Sequence, residues 1–129
     1  MNKRSAEKSQ VPILIRSLLA VTIAFILALQ FCGYKLLLIM SDSMEPTLTT
    51  GQLVPARRVT EETELLRGDI CTYRTDTGLV SVTHRIIAVT PEAFIFKGDH
   101  NRTEDQEPVK RNQILYKLII HEGGHYEGE

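Results

Sequence analysis

Apolar residues are concentrated in one long run near the N-terminus. Positions 17–33, SLLAVTIAFILALQFCG, contain no charged residue, and their polar side chains are Ser17, Thr22 and Gln30. As an α-helix this run would be roughly 25 Å long, and the apolar residues of positions 11–15 extend it past the roughly 30 Å of a bilayer core. The hydropathy pattern therefore predicts one membrane-spanning helix.

Three other interpretations of this run compete with a retained membrane anchor. A cleaved secretory signal has a shorter apolar segment and a small-x-small cleavage site, and Leu29 to Cys32 supply neither. A lipid attached at Cys32 would require small residues before the cysteine, where Phe31 stands. A buried helix of a soluble domain would need more chain to cover it on all sides. The anchor is favoured, but its end stays open, because positions 36–40 could continue the helix or begin a strand.

Beyond the anchor, hydrophobic residues occur in short stretches rich in β-branched side chains and separated by turn signals, which is typical of strands. Positions 75–78 and 90–92 read as turns between strands, and the best remaining helical candidate is 60–66. The pattern predicts a mostly-β fold, in which the single N-terminal transmembrane helix precedes a small β-domain. We expect a basic flank and anchor over 1–35, a β-domain over 36–120 and a polar tail over 121–129. The predicted strands cover positions 36–40, 52–59, 70–74, 79–90, 93–97 and 114–120.

The formal net charge of −1 hides an uneven distribution along the 129 residues. Positions 1–35 carry five basic residues and one acidic residue, which gives +4, and positions 36–129 carry ten basic and fifteen acidic residues, which gives −5. The basic flank precedes the apolar run, so the positive-inside rule places the N-terminus in the cytoplasm and the β-domain on the other side.

The near-neutral total argues against a nucleic-acid partner. Two cysteines make neither a disulfide scaffold nor a four-cysteine zinc site.

Three polar segments carry the candidate chemistry. Positions 41–48 read S-D-S-M-E-P-T-L, positions 84–85 read His-Arg inside a predicted strand, and positions 97–101 read K-G-D-H-N, followed by Asp105. Each segment alone is more often a turn or a structural strand residue than a catalytic one. Together, in this order behind one anchor, they resemble the type I signal peptidases, and most closely the type of the endoplasmic reticulum, of archaea and of sporulating Gram-positive bacteria.

This resemblance implies a role for each matching residue. The serine before the methionine, Ser43, would be the nucleophile, and His84 stands where the bacterial housekeeping branch has a lysine as general base. The two aspartates of the later segment map to Asp99 and Asp105. The hydroxyl of Ser41 would join the backbone N–H of Ser43 in the oxyanion hole. The resemblance also implies that signal peptides of preproteins are the substrates, and that further membrane subunits are candidate partners.

Physical chemistry supports a serine and histidine pair independently of the family. A serine hydroxyl is a weak nucleophile until a base within hydrogen-bond reach takes its proton. An imidazole does this at neutral pH, and a carboxylate on its other nitrogen fixes the tautomer. Asp99 and Asp105 are both candidates for that carboxylate. We prefer Asp99 by a small margin, because the turn at Gly98 could bring it against a neighbouring strand, with Asp105 acting through Arg85 or a backbone turn.

The sequence departs from the family pattern at Asp42, where these enzymes usually have glycine. A carboxylate beside an oxyanion hole would be unfavourable unless it points to solvent and its backbone avoids positive φ. This departure leaves open a non-catalytic, membrane-anchored subunit that keeps the fold. Self-cleaving repressor-type peptidases share a related serine box, but His84 and the anchor argue against them. We expect no metal and no cofactor, because Cys71 and the histidines lack metal-ligand spacing.

Overall fold

A computed structural model describes residues 3–120 of the chain, with side chains described for residues 12–120. The described residues fall into two compact units, one ending at residue 34 and the other beginning at Lys35. The predicted polar tail, with His121 and His125, lies outside the described residues.

The first unit is a single α-helix, α1 (Lys3–Phe31). Its segment Pro12–Phe31 has a mean hydropathy of 2.3, and among the described residues it is the one helix long and apolar enough to cross a membrane. The hydroxyls of Ser17 and Thr22 donate to the backbone carbonyls four residues earlier, which satisfies these polar groups within the helix. The helix ends where Gly33 adopts a φ of 86°, a conformation that favours glycine.

The second unit is built on a six-stranded sheet with the order β1-β2-β6-β3-β4-β5. Neighbouring strands from β2 to β5 in this order are antiparallel. Each predicted strand is present, with ends shifted by at most two residues, and of the uncertain positions 36–40 the first three belong to a strand and none to the helix. The strands are β1 (Tyr34–Leu38), β2 (Leu53–Arg58), β3 (Ile70–Arg74), β4 (Ser81–Val89), β5 (Phe94–Lys97) and β6 (Ile114–Leu118).

The turn between β3 and β4 sets the register that matters for the site. Gly78 has a φ of 69°, and its N–H donates to the carbonyl of Thr75 at 2.8 Å. The hairpin that follows places Cys71 of β3 directly opposite His84 of β4. Residues opposite each other in an antiparallel pair lie on the same face, so the imidazole shares its face with Cys71 and Tyr73.

Two clusters of buried side chains form the core of this unit. One contains Phe96, Ile86 and Tyr73, and the other contains Met44 and Leu48, which follow the candidate nucleophile. Burial of these two residues therefore holds the serine segment onto the domain. The helical candidate at 60–66 is wrong, since the structure has turns there, and a short 3-10 helix occurs instead at Arg111–Gln113.

Candidate active site

Ser43 and His84 lie within hydrogen-bond distance of each other. Ser43 is in the turn region after β1, and His84 is in the middle of β4, where it is 7% exposed. The Ser43 Oγ and the His84 Nε2 are 3.1 Å apart. A serine hydroxyl in contact with an imidazole nitrogen is the arrangement that a general base requires in order to activate a nucleophile.

The carboxylate against His84 is that of Asp105, and the preference for Asp99 is wrong. Both carboxylate oxygens of Asp105 lie near His84 Nδ1, at 2.9 and 2.7 Å. Asp99 instead accepts from Arg85, whose Nε and Nη2 lie 2.9 and 2.7 Å from its two oxygens. The physical reason is strand geometry: successive side chains point to opposite faces, so His84 and Arg85 reach different carboxylates.

Asp99 links the strand to the serine segment. In addition to the paired bonds from Arg85, it accepts a hydrogen bond from the Thr47 hydroxyl at 2.6 Å. Arg85 also donates through Nη1 to the carbonyl of Gly68 at 2.9 Å. The Arg85 side chain is 7% exposed, and its guanidinium requires such partners because an unpaired buried charge is strongly destabilising. Asp99 therefore supports the segment that carries Ser43 without contacting the nucleophile.

The hydrogen bonds around both aspartates keep them ionised. Burial alone would raise the pKa of Asp105, but the bonds from His84 and Tyr73 outweigh it and hold that pKa below its ordinary value. Burial likewise acts against Asp99, and the bonds from Arg85 and Thr47 lower its pKa overall. An ionised carboxylate only accepts hydrogen bonds, so the proton on the imidazole is at Nδ1. With that proton on Nδ1, Nε2 is the ring nitrogen that can accept the proton of the Ser43 hydroxyl.

Ser41 also lies beside the candidate nucleophile. Its Oγ is 3.1 Å from the Oγ of Ser43. Because the Ser43 proton is directed to His84, the Ser41 hydroxyl is the donor in this contact. A hydroxyl in this position can rotate and donate a hydrogen bond to an oxygen atom of a group that is bound next to Ser43.

The carboxylate of Asp42 does not obstruct this arrangement. The residue is exposed, and no non-glycine residue in the described part of the chain has a positive φ. Both conditions for tolerating an aspartate at this position are therefore met.

The backbone of Ser43 is held by the segment after β5. The His100 N–H donates to the Ser43 carbonyl at 2.9 Å. A Cβ atom on Gly98 would stand 2.5 Å from the same carbonyl oxygen and 2.7 Å from Asn101 Nδ2. Glycine is needed here because of this close approach, and not because of a positive φ.

Tyr73 is a site residue that the sequence reasoning missed. Its hydroxyl donates to the Asp105 Oδ2 at 2.7 Å, and the residue is 6% exposed. Two signals in the sequence could have indicated it. A buried tyrosine hydroxyl requires a partner, and the hairpin turn at 75–78 places Tyr73 on the same face of the sheet as His84.

The remaining candidate ligands and thiols form no second centre in the described residues. No group of three or more His, Cys, Asp or Glu side chains that could hold a metal ion occurs there. Burial, with a contribution from the nearby Asp69 carboxylate, raises the pKa of the Cys71 thiol to about 12. A thiol that stays protonated at neutral pH is a poor nucleophile. Ser43 is therefore the nucleophile that this arrangement favours.

Similarity to known proteins bears on this arrangement. No protein-family profile matches the chain. Signal peptidase I W of Bacillus subtilis (strain 168) is 37% identical over 86 residues, which make up 64% of this chain and 45% of that relative. The chain thus covers less than half of the relative's length. By its name, this relative is a type I signal peptidase, which is the family whose motifs the sequence resembles.

Proposed function

Sequence similarity supports placing this chain in the type I signal peptidase family, and we propose that it is a membrane-bound serine endopeptidase that removes signal peptides from preproteins. The observation that carries the proposal is the continuous chain of contacts from Ser43 through His84 to Asp105. A nucleophile, a base in the correct tautomer and an orienting carboxylate are the parts that a hydrolytic triad requires.

The proposed reaction begins with attack of Ser43 Oγ on the scissile carbonyl carbon. The serine proton passes to His84 Nε2, and the ionised Asp105 stabilises the resulting imidazolium. The oxyanion of the tetrahedral intermediate accepts from the Ser43 N–H and the Ser41 hydroxyl. Loss of one such donor typically reduces the rate about 10²–10³-fold.

The intermediate then collapses to an acyl-enzyme. The bond between the carbonyl carbon and the amide nitrogen breaks, and His84 gives its proton to the leaving amine, which becomes the N-terminus of the mature protein. A water molecule, deprotonated by the same imidazole, attacks the ester. This second step releases the signal peptide as a carboxylic acid and returns the proton to Ser43. The reaction needs no metal and no cofactor.

The apolar helix supports a membrane location for this chemistry. We propose that Pro12–Phe31 spans the bilayer with the basic N-terminus in the cytoplasm and the β-domain on the other side. A preprotein held in the same membrane by its own apolar segment is confined near the enzyme. This confinement raises its effective concentration, so weak side-chain pockets are sufficient for cleavage.

Alanine substitutions in the full chain test the enzymatic proposal. We expect Ser43→Ala and His84→Ala, each in detergent micelles, to abolish cleavage of a secretory precursor. Cleavage is measured by gel electrophoresis, and the new N-terminus is identified by mass spectrometry. Ser81→Ala, at an exposed serine of β4, is the matched control and should cleave at the wild-type rate. Full cleavage by Ser43→Ala would overturn the proposal. A wild-type chain that binds the precursor and never forms an acyl-enzyme on Ser43 would instead indicate a non-catalytic subunit.

The orientation needs a separate measurement. Right-side-out membrane vesicles containing the full chain can be treated with an impermeant protease, and the fragments identified by mass spectrometry. We expect peptides from residues 36–129 to be released while residues 3–8 stay protected. Release of the N-terminal basic residues with protection of the β-domain would reverse the proposed topology.

A further inference from the structure

Tyr73 and Asp105 form a contact that the proposed reaction does not use. The Tyr73 hydroxyl lies 2.7 Å from Asp105 Oδ2, the same oxygen that lies 2.7 Å from His84 Nδ1. Two donors therefore converge on one carboxylate oxygen, from two adjacent strands of the sheet. The Asp105 N–H in turn donates to the carbonyl of Phe96 at 2.8 Å, which fixes the backbone of the same residue.

The tyrosine is itself held rigidly. It is 6% exposed, and its ring packs on Phe96 with centroids 4.7 Å apart and an interplanar angle of 40°. The pairing of β3 with β6 shifts register between Thr72 and Tyr73. Irregularities of this kind re-aim a side chain and are frequent beside active sites. Packing and backbone geometry thus both direct this hydroxyl at Asp105.

We infer that Tyr73 is a positioning residue, which fixes the carboxylate of Asp105 and through it the orientation and basicity of His84. The inference rests on the proposed function, because it assigns Tyr73 to the same triad. A carboxylate held by one donor can rotate about its side-chain bonds, whereas a second, rigid donor restricts it to one orientation. Networks of this kind contribute more together than their separate bonds suggest.

The hydroxyl keeps its proton throughout the working range of the enzyme. Burial, followed by the hydrogen bond to Asp105 and its negative charge, raises the pKa of Tyr73 well above its ordinary value. Tyr73 therefore donates at every pH at which a histidine base could act. It also withdraws electron density from the carboxylate, which weakens the stabilisation that Asp105 gives to a protonated imidazole.

Removing the hydroxyl should have two effects that can be measured separately. The less restrained Asp105 orients His84 less well, which lowers kcat and leaves substrate binding unchanged. The more electron-rich carboxylate stabilises the imidazolium more strongly, so the acidic limb of the pH–rate profile moves to higher pH. The other titratable or charged groups around Tyr73 and Asp105 are those that line the same cavity, namely Asp76, His84, His100, Arg102, Glu104 and Glu107. Cys71 lies opposite His84 on β3, and Asp99 interacts with His84 electrostatically.

The test is Tyr73→Phe in the full chain, measured as steady-state cleavage of a precursor peptide across pH. We expect kcat to fall about tenfold with KM within about twofold, and the acidic limb to move to higher pH. Tyr116→Phe is the matched control, because it removes a hydroxyl that faces Lys35 and Arg58 instead of the triad. In an Asp105→Asn background the effect of Tyr73→Phe should disappear, since the two residues act as a unit.

The outcomes separate this inference from the proposed function. If Ser43→Ala cleaves normally, the proposed function fails. If Ser43→Ala and His84→Ala are inactive while Tyr73→Phe equals Tyr116→Phe in kcat and pH profile, the inference alone is overturned. If Tyr73→Phe does not fold, 3-fluorotyrosine at position 73 keeps the ring and hydroxyl and makes a stronger donor. That protein should show the opposite shift, to lower pH, and an unchanged profile would contradict the inference.

Discussion

The carbonyl oxygen of Ser43 lies so close to Gly98 that a Cβ atom there would stand only 2.5 Å from it. The next residues along the chain complete the contact, because the His100 N–H donates to the same oxygen at 2.9 Å. The segment after β5 therefore fixes the backbone of the candidate nucleophile directly. Any atom added at position 98 must displace Ser43 or the segment that holds it.

Gly98→Ala is expected to reduce activity strongly while the chain stays folded. A shift of the nucleophile by about 1 Å can lower the rate by roughly 10²-fold, so we expect kcat/KM for a precursor peptide to fall by about that factor. Crowding of this kind lowers the free energy of unfolding by about 1–3 kcal/mol, which leaves the chain folded at low temperature. Steady-state cleavage and thermal unfolding of the full chain in detergent measure the two effects.

Gly78→Ala is the matched control for this substitution. Gly78 lies in the β3–β4 turn with a φ of 69°, and an added Cβ meets only Arg74 Cδ at 3.7 Å. Alanine there strains the backbone without crowding the site, so stability should fall while kcat stays at the wild-type value. Equal losses of kcat in both variants would show that Gly98 has no specific relation to Ser43.

Asp105 and Asp99 should respond differently to the same chemical change. Asp105→Asn removes the carboxylate that fixes the imidazole tautomer, and in hydrolytic triads such a change lowers kcat by about 10³–10⁴-fold. Asp99→Asn breaks the pair with the buried Arg85, so we expect a loss of about 3 kcal/mol in unfolding free energy. Its kcat should fall less than about tenfold, because Asp99 does not contact His84.

Cleavage kinetics and denaturant unfolding, measured on the same preparations of both variants, distinguish the two roles. A larger kcat loss in Asp99→Asn than in Asp105→Asn would reverse the assignment. It would also restore the original preference for Asp99 as the partner of His84.

The choice between the two aspartates shows where sequence reasoning ended. The motifs predict which residue types gather at the site, and the turn at Gly98 makes either carboxylate a plausible partner for His84. The decision depends on the faces of β4, since His84 and Arg85 are adjacent and point in opposite directions. Which face each later aspartate reaches depends on the path of the loop after β5, and that path has no local pattern in the sequence.

The strands themselves could be predicted because their signals are local. Alternating apolar residues and the turn at positions 75–78 define the β3–β4 hairpin, and its register follows from the turn. The helical candidate at 60–66 was wrong because a residue far along the chain, and not the local pattern, determines the structure there. Its short polar pattern suits one helical turn, but the Arg111 side chain donates to the backbone carbonyls of Thr60, Glu61 and Thr63. A contact from a residue about fifty positions away cannot be read from the local pattern.

The pKa shifts of the two aspartates predict a loss of stability in acid. Both pKa values are lowered in the folded protein, so the folded state binds fewer protons than the unfolded state over the acidic range. The stability that the two groups contribute is complete above the ordinary carboxyl pKa of about 4, and it is lost as the pH falls through the lower folded-state values.

Thermal unfolding of the full chain between about pH 7 and pH 2 measures this loss. The difference in unfolding temperature between wild type and Asp99→Asn should be largest above about pH 5 and should shrink on acidification, because the variant has no carboxyl to protonate at position 99. Thr47→Val removes one of the donors to Asp99, so the difference in unfolding temperature between Thr47→Val and Asp99→Asn should be smaller than that between wild type and Asp99→Asn. A difference that stays constant over the whole range would show that the pair with Arg85 does not lower this pKa.

Asp42 provides a test of the departure from the family pattern. Its side chain is exposed and its backbone does not adopt a positive φ, so we expect neither its charge nor its conformation to affect the neighbouring serines. We expect Asp42→Gly and Asp42→Asn to cleave a precursor peptide within about twofold of the wild-type kcat/KM, because surface charges contribute little at high dielectric. Glycine should lower stability slightly through the greater freedom of the unfolded chain, and asparagine should not.

An increase in kcat/KM of about tenfold or more in both variants would mean that the Asp42 carboxylate opposes the developing oxyanion near Ser41 and Ser43. An increase in the glycine variant alone would instead assign the effect to the backbone at position 42.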